Sequence, residues 1–200
     1  TYAAYWIKQS ISRALEENGT PVANIVVEDD TVLYPVYDQI PEFYFDTSLQ
    51  GFKPNSYTTS CTLKNGVVTV TADAGMYFVL SGEKGAFDGV YRNNGTIDAA
   101  KYKYMRIKSQ YVSGKGRAVF FGTDTNASRS EERKFVISDG TLIGTVNGME
   151  IKEYDLTQHE QWNGTVEHLW YDAISGKGEV NIDYLVFADK KGIIDADVTV

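Results

Sequence analysis

The sequence predicts an all-β protein, an antiparallel β-sandwich of the jelly-roll type that follows a short N-terminal helix-plus-strand element. Two observations predict the sandwich. Beyond residue 40, short runs of alternating apolar and polar residues recur at intervals of about eight to twelve positions. Turn pairs such as Asn65-Gly66 and Asp139-Gly140 lie between the runs, and such pairs are the strongest short-range signals of a β-hairpin.

This alternation predicts the strands of residues 41–200. They are Glu42–Asp46, Tyr57–Leu63, Val67–Ala72, Tyr77–Leu80, Tyr102–Gln110, Gly116–Thr123, Glu132–Ile137, Met149–Asp155, Thr165–Asp172 and Glu179–Ala188. Residues 1–40 are predicted to be a separate element or the end of a preceding domain. Within them, apolar residues at helical spacing predict a helix over 3–17 that stops at Asn18-Gly19, and residues 31–37 predict a strand.

Composition excludes several kinds of partner. The 200 residues carry a net charge of -8 with scattered basic residues, so we expect no nucleic-acid partner. The longest apolar runs span four or five residues, so we expect no membrane insertion. The chain starts at Thr1 without a leader pattern, and we interpret it as part of a longer mature protein. The single cysteine, Cys61, allows no intrachain disulfide and is interpreted as a small buried hydrophobe.

No pattern in the chain predicts catalysis. The two histidines, His159 and His168, lack partners at metal-ligand spacing, and no nucleophile motif accompanies them. We therefore expect no catalytic residues and no enzyme, although the 27 acidic residues leave a hydrolase with two carboxylates open. The 14 Tyr, 9 Phe and 3 Trp favour β-structure and supply rings that stack on sugar faces.

Five short motifs lie in order between residues 42 and 188. They are Phe43-Tyr44-Phe45-Asp46, the hairpin run 63–70, the run 97–107, His159-x-x-Trp162-x-Gly164 and Ile182-Asp183-Tyr184. Together they resemble the galactose-binding-like jelly-roll carbohydrate-binding modules that accompany bacterial polysaccharide-degrading enzymes. Such modules often read Leu-Arg-x-Asp-Pro where this chain reads Leu169-Trp170-Tyr171-Asp172-Ala173, which leaves the ligand class open.

The resemblance implies non-catalytic binding of a polysaccharide or glycan by a secreted or surface bacterial protein. A second resemblance, of residues 24–38 to the end of a β-grasp-like repeat of bacterial surface proteins, implies other domains in the same polypeptide. The alternative function is a structural or adhesive sandwich module of a cell-surface protein with no sugar site.

The resemblance further implies a structural calcium ion that joins the entry and closing strands. Its expected ligands are Asp46 and Asp183, together with Glu42, because calcium prefers hard oxygen ligands. Asp183 interrupts an apolar strand, and a buried carboxylate requires a partner. An aspartate that caps backbone amides is the alternative explanation for this residue.

Strand alternation selects candidate ligand-binding residues. If Met105 points to the core, then Tyr102, Tyr104 and Arg106 point outward and offer rings and hydrogen-bond donors to a sugar. The alternative is that they form cross-strand pairs without a ligand, or that the tyrosines pack under a loop.

Trp170 is predicted to lie with His168 on the outer face of its strand, as the best single stacking residue. The alternative is an indole packed under the N-terminal helix. Tyr77 and Tyr91 flank a Gly-rich segment and are expected to rim the site, whereas Trp162 is expected to be structural.

Overall fold

The computed structural model describes residues 15–17, 20–22, 41–81 and 96–192. The chain divides into two compact units, Thr1–Gln39 and Ile40–Val200. In the first unit, β1 (Leu15–Glu17) and β2 (Thr20–Val22) form a two-stranded antiparallel sheet in which Glu17 pairs with Thr20.

This pairing corrects the helix predicted over 3–17, because its last three residues are a strand. The Asn-Gly pair that was expected to stop a helix separates two paired strands, and this dipeptide strongly favours two-residue hairpins. The rest of the predicted helix, the predicted strand 31–37 and the repeat-like run 24–38 lie outside the described residues.

The described part of the second unit consists of strands and two single-turn 3-10 helices, Ile137–Asp139 and Leu156–Gln158. The strands are β3 (Glu42–Phe43), β4 (Lys53–Pro54), β5 (Thr58–Lys64), β6 (Val67–Ala72), β7 (Met76–Ser81), β8 (Ile97–Asp98), β9 (Tyr104–Ser113), β10 (Ala118–Thr123), β11 (Lys134–Val136), β12 (Thr141–Val146), β13 (Met149–Asp155), β14 (Thr165–Ile174) and β15 (Gly178–Ala188).

These strands form two sheets. Sheet I has the order β11-β10-β14-β7-β4, with β8 also paired to β14. Sheet II has the order β12-β13-β9-β15-β6-β5, with β3 also paired to β15. Each strand pair is antiparallel, and one apolar core contains residues of both sheets, so the predicted antiparallel β-sandwich is confirmed.

Alternation along the strands builds this core. In β14, Leu169 and Tyr171 are almost fully buried, and in β9 Met105 and Ile107 are buried while Tyr104, Arg106 and Lys108 are partly exposed. Successive side chains of a strand point to opposite faces, so each sheet has an inner face that packs in the apolar core and an outer face that points away from it. The outer face of sheet I carries the candidate site described below.

Trp162 is a core residue, as predicted. Its ring stacks on Phe187 at a centroid distance of 5.8 Å and meets Phe121 edge-on at 5.0 Å. Its indole N–H donates to the carbonyl oxygen of Tyr102 at 2.9 Å. A buried indole needs such a partner, so Trp162 joins the turn before β14 to the segment before β9.

Cys61 is half-buried against the core, and burial raises the pKa of its thiol. Among the described residues, no helix has both the length and the apolar character that a bilayer crossing requires.

Candidate functional site

The outer face of sheet I presents three side chains of β14 in a row. His168, Trp170 and Asp172 alternate with the buried residues of the same strand. On the flanking strands, Trp170 pairs with Phe120 of β10 and with Val79 of β7. The strand geometry therefore places an indole, an imidazole and a carboxylate on one side of the sheet.

Trp170 and His168 stack on each other. Their ring centroids are 5.7 Å apart and their planes differ by 24°, and both residues are half-buried. The stack holds the indole against the sheet while part of it stays in contact with solvent. A fixed, partly exposed indole is a platform on which a flat apolar surface can pack.

On the same face, around Asp172 and two positions along β14 from Trp170, lies a pocket with a volume of about 320 Å³. Its side chains include an aromatic ring, two guanidinium groups, a carboxylate and an aliphatic group: Tyr77, Arg117, Arg129, Asp172 and Ile174. This volume is at the lower end of the range for small-molecule sites, roughly 300–1,000 Å³.

Asp172 is the buried centre of the polar group. Its side chain is 7% exposed, and its Oδ2 accepts hydrogen bonds from Arg129 Nη2 at 2.6 Å and from Arg117 Nη1 at 3.4 Å. Its Oδ1 is buried and has no hydrogen-bond partner in the described structure. Burial raises the pKa of the Asp172 carboxyl, and the two guanidinium groups oppose this effect without cancelling it.

The loop 124–133, between β10 and β11, brings Arg129 to this position. The guanidinium lies 3.7 Å from the centre of the Phe120 ring and 5.8 Å from the centre of the Tyr77 ring. Phe120 faces outward yet is fully buried. Stacking on aromatic rings fixes the plane of a guanidinium and leaves its N–H edge able to donate.

Arg117 is more exposed and bridges two carboxylates. Besides Asp172 it contacts Glu131 Oε1 at 2.5 Å, and Glu131 also binds Lys134 at 2.6 Å. Arg133, the last residue of this loop, stabilises it, since its buried side chain donates to the carbonyl oxygen of Ser128 at 2.5 Å. The site is therefore a network of charged side chains, in which Arg129 packs on the rings of Phe120 and Tyr77.

The structure divides the predicted ligand-binding residues between the two sheets. Trp170 and Tyr77 lie on the outer face of sheet I, at the stack and the pocket. Tyr104 and Arg106 belong to β9 in sheet II and are half-buried. Tyr91 lies outside the described residues.

The expectation that Tyr102 faces outward with Tyr104 is wrong. Tyr102 precedes β9, in a turn where its backbone N–H donates to the carbonyl oxygen of Asp98, and only 5% of the residue is exposed. Strand alternation begins at Tyr104, so it does not apply to the ring of Tyr102.

Arg106 forms hydrogen bonds with other residues of the protein. Its Nε donates to the buried carboxylate of Glu153 at 2.8 Å, and its Nη2 donates to the carbonyl oxygen of Lys190 at 2.7 Å. The backbone N–H of Gly192 donates to the same Glu153 oxygen at 2.5 Å. These bonds hold the segment after β15 against sheet II, so Arg106 has a structural role there, and its predicted ligand-binding role stays a prediction.

The three acids expected to bind calcium do not assemble. Asp183 lies in a β-bulge of β15 and forms an ion pair with Lys108 at 2.6 Å. Asp46 is exposed, and Glu42 is half-buried with its carboxyl pKa raised by burial. Among the residues described, no three acidic, histidine or cysteine side chains form a group that could hold a metal. The predicted ligand set is therefore wrong, and calcium binding stays a prediction without ligands.

Sequence reasoning missed Arg117, Arg129 and Asp172. Asp172 stands in the Leu-x-x-Asp phrase after the Trp-Gly turn, and that phrase was a signal for it. Arg117 precedes a strand and Arg129 lies in a loop, where no periodicity predicts which way a side chain points.

Comparison with protein-family models and with curated proteins finds no match. Among solved structures, the chain is similar to BiXyn10A CBM1, with a TM-score of 0.44 and 11% identity over 76% of this chain and 100% of that one. It is also similar to the second N-terminal cellulose-binding domain of β-1,4-glucanase C from Cellulomonas fimi, with a TM-score of 0.44 and 12% identity over 78% of this chain and 98% of that one. A carbohydrate-binding module of family 29 has a TM-score of 0.45 and 11% identity over 80% of this chain and 95% of that one. Likeness at this level does not assign a function, which has to be argued from the site.

Proposed function

We propose that this chain is a non-catalytic carbohydrate-binding module that binds a polysaccharide or glycan at the outer face of sheet I. The module acts in a secreted or surface protein of a bacterium, beside other domains of the same polypeptide. It has no nucleic-acid partner, in keeping with the net charge of -8.

One observation supports the proposal above the others. The partly exposed Trp170–His168 stack lies on the same sheet face as a pocket that combines Tyr77 with Arg129 and Asp172. A sugar has apolar faces formed by C–H groups and an edge of hydroxyls. Aromatic rings pack on the C–H faces, and charged donors and acceptors bind the hydroxyls. Both kinds of group occur together on this face of the sheet.

The arrangement also predicts modest affinity. The face is open, so a bound sugar keeps part of its surface in water, and ordered water has to leave the polar groups. The carboxylate of Asp172 is buried and paired with two guanidinium groups, which does not favour its acting as a nucleophile. Binding without chemistry is the function that these groups support.

Affinity gel electrophoresis against a panel of soluble plant, algal and host polysaccharides tests the proposal. We expect at least one polysaccharide to retard the wild-type chain, and Trp170→Ala to abolish the retardation. Tyr57→Ala is the matched control, because Tyr57 is 59% exposed but lies outside the site. If no polysaccharide retards the folded wild-type chain, the proposal is refuted and the structural or adhesive module is favoured.

A further inference from the structure

We propose that the pocket of Tyr77, Arg117, Arg129 and Asp172 recognises the carboxylate of an acidic sugar, so that the ligand is a uronic-acid-containing polysaccharide. This inference rests on the proposed function, since it names the ligand class of the same site.

The charge of the pocket is the first argument. Two guanidinium groups face one carboxylate there, which leaves one uncompensated positive charge. Glu131 does not remove it, because Glu131 is also paired with Lys134, and these two charges cancel. A net positive pocket in a chain of net charge -8 is a local departure from the surface around it. A neutral sugar uses the guanidinium groups only as hydrogen-bond donors, whereas an anionic sugar is also attracted by the net positive charge.

The geometry of Arg129 is the second argument. Its stacking on Phe120 fixes the guanidinium plane, and its described hydrogen bonds use only Nη2. A guanidinium has more N–H donors than this single bond uses, and their fork matches the two oxygens of a carboxylate. A fixed guanidinium loses less entropy when it binds a ligand than a mobile one does.

The unsatisfied oxygen of Asp172 is the third argument. Oδ1 is buried without a donor, although a buried acceptor gains from having one. Arg117 makes the long 3.4 Å bond to Oδ2 of Asp172 and is 44% exposed, so its guanidinium is able to turn toward a ligand. A uronate carries hydroxyls beside its carboxylate, and one of them supplies the missing donor to Oδ1.

Affinity electrophoresis with polygalacturonate, its fully methyl-esterified form and a neutral galactan tests this inference. The ester keeps the sugar and removes the charge, so it isolates the carboxylate. We expect polygalacturonate to bind at least tenfold more tightly than the ester, and added salt to weaken that preference. Arg129→Gln should remove most of it, whereas Lys64→Gln, which deletes an exposed charge at the β5–β6 turn, should leave it unchanged.

The outcomes separate the two proposals. Equal binding of the acid and the ester, still lost in Trp170→Ala, would overturn the acidic-sugar inference and leave carbohydrate binding in place. Binding of a sulfated polysaccharide without binding of polygalacturonate would also overturn the acidic-sugar inference and leave carbohydrate binding in place. Failure of a broad panel of acidic and neutral polysaccharides to bind would overturn both. Thermal unfolding of Arg129→Gln shows whether a loss of binding reflects a loss of folded protein.

Discussion

The guanidinium of Arg129 lies 3.7 Å from the centre of the Phe120 ring, on the face of sheet I that points away from the core. Phe120 is fully buried, although its cross-strand partner is the half-buried Trp170. One contact therefore connects the loop that carries the site to the strand that forms its floor.

Replacement of Phe120 should affect binding as well as stability. Phe120→Leu removes the ring on which Arg129 stacks, a contact worth roughly 0.5–2 kcal/mol. We expect a lower free energy of unfolding in urea and a several-fold weaker affinity for the polysaccharide ligand. Phe121→Leu is the control, since Phe121 faces the core and should lower stability without changing the affinity of the folded fraction. Equal affinities of the two variants would show that Phe120 does not position Arg129.

Gly122 in β10 allows the loop 124–133 to lie on sheet I. A Cβ at this position would lie 2.7 Å from the carbonyl oxygen and 3.0 Å from the carbonyl carbon of Ala127, and backbone atoms cannot rotate away. We expect Gly122→Ala to displace the loop, to weaken ligand binding and to cost about 1–3 kcal/mol of stability.

Gly144 provides the matched control for this substitution. Its added Cβ would meet only the Ile151 Cδ1 at 3.8 Å, an ordinary contact, so Gly144→Ala should leave binding unchanged. Calorimetric titration of both variants checks the prediction. Unchanged affinity in Gly122→Ala would mean that the loop does not carry ligand-binding groups.

The indole N–H of Trp162 should contribute to stability through one hydrogen bond. Trp162→Phe keeps an aromatic ring but leaves the Tyr102 carbonyl oxygen without its 2.9 Å donor. An unsatisfied buried acceptor costs about 1–3 kcal/mol, so we expect unfolding at lower urea concentration with unchanged ligand affinity. Unchanged stability would show that water reaches this carbonyl group.

His159 should make stability fall at mildly acidic pH. Burial lowers its pKa below the ordinary value of 6.5, and its Nδ1 accepts a hydrogen bond from the Gln161 N–H at 3.2 Å. As the pH falls, the unfolded chain therefore binds a proton at this imidazole before the folded chain does. The free energy of unfolding decreases as the pH falls below about 6.5, and it continues to decrease until the folded state is protonated too. Urea unfolding between pH 7.5 and about 5 should show a smaller decrease for His159→Gln than for the wild type. Identical pH profiles would contradict this assignment.

The sequence predicted the sandwich because most of its strands are long and alternate clearly. Val67–Ala72 and Met149–Asp155 were predicted with their observed bounds. The strands β4 and β8 escaped prediction because two residues each are too few to show a period, whereas β3, which is equally short, was predicted within the longer run Glu42–Asp46. The strand β12 also escaped it, since its outermost position in sheet II leaves its residues mostly exposed or half-buried.

The candidate site was only partly predictable for a related reason. Alternation placed Trp170 correctly opposite Leu169, because both lie in one regular strand. It failed for Tyr102, which precedes its strand, and it could not place Arg129, which reaches the site from a loop. For Arg106, no pattern of residues indicates the bond to Lys190, 84 residues away.

The most direct test of carbohydrate binding at sheet I is a titration that follows the indole N–H signals in a proton–nitrogen correlation spectrum. The variants Trp170→Phe and Trp162→Phe each lack one indole N–H signal, and they therefore assign the signals of Trp170 and Trp162. Upon addition of an oligosaccharide of the bound polysaccharide, the Trp170 signal should shift progressively and saturate, while the Trp162 signal stays in place. Saturating shifts confined to sheet II, around Tyr44 and Tyr184, with an unmoved Trp170 signal would contradict the proposed site.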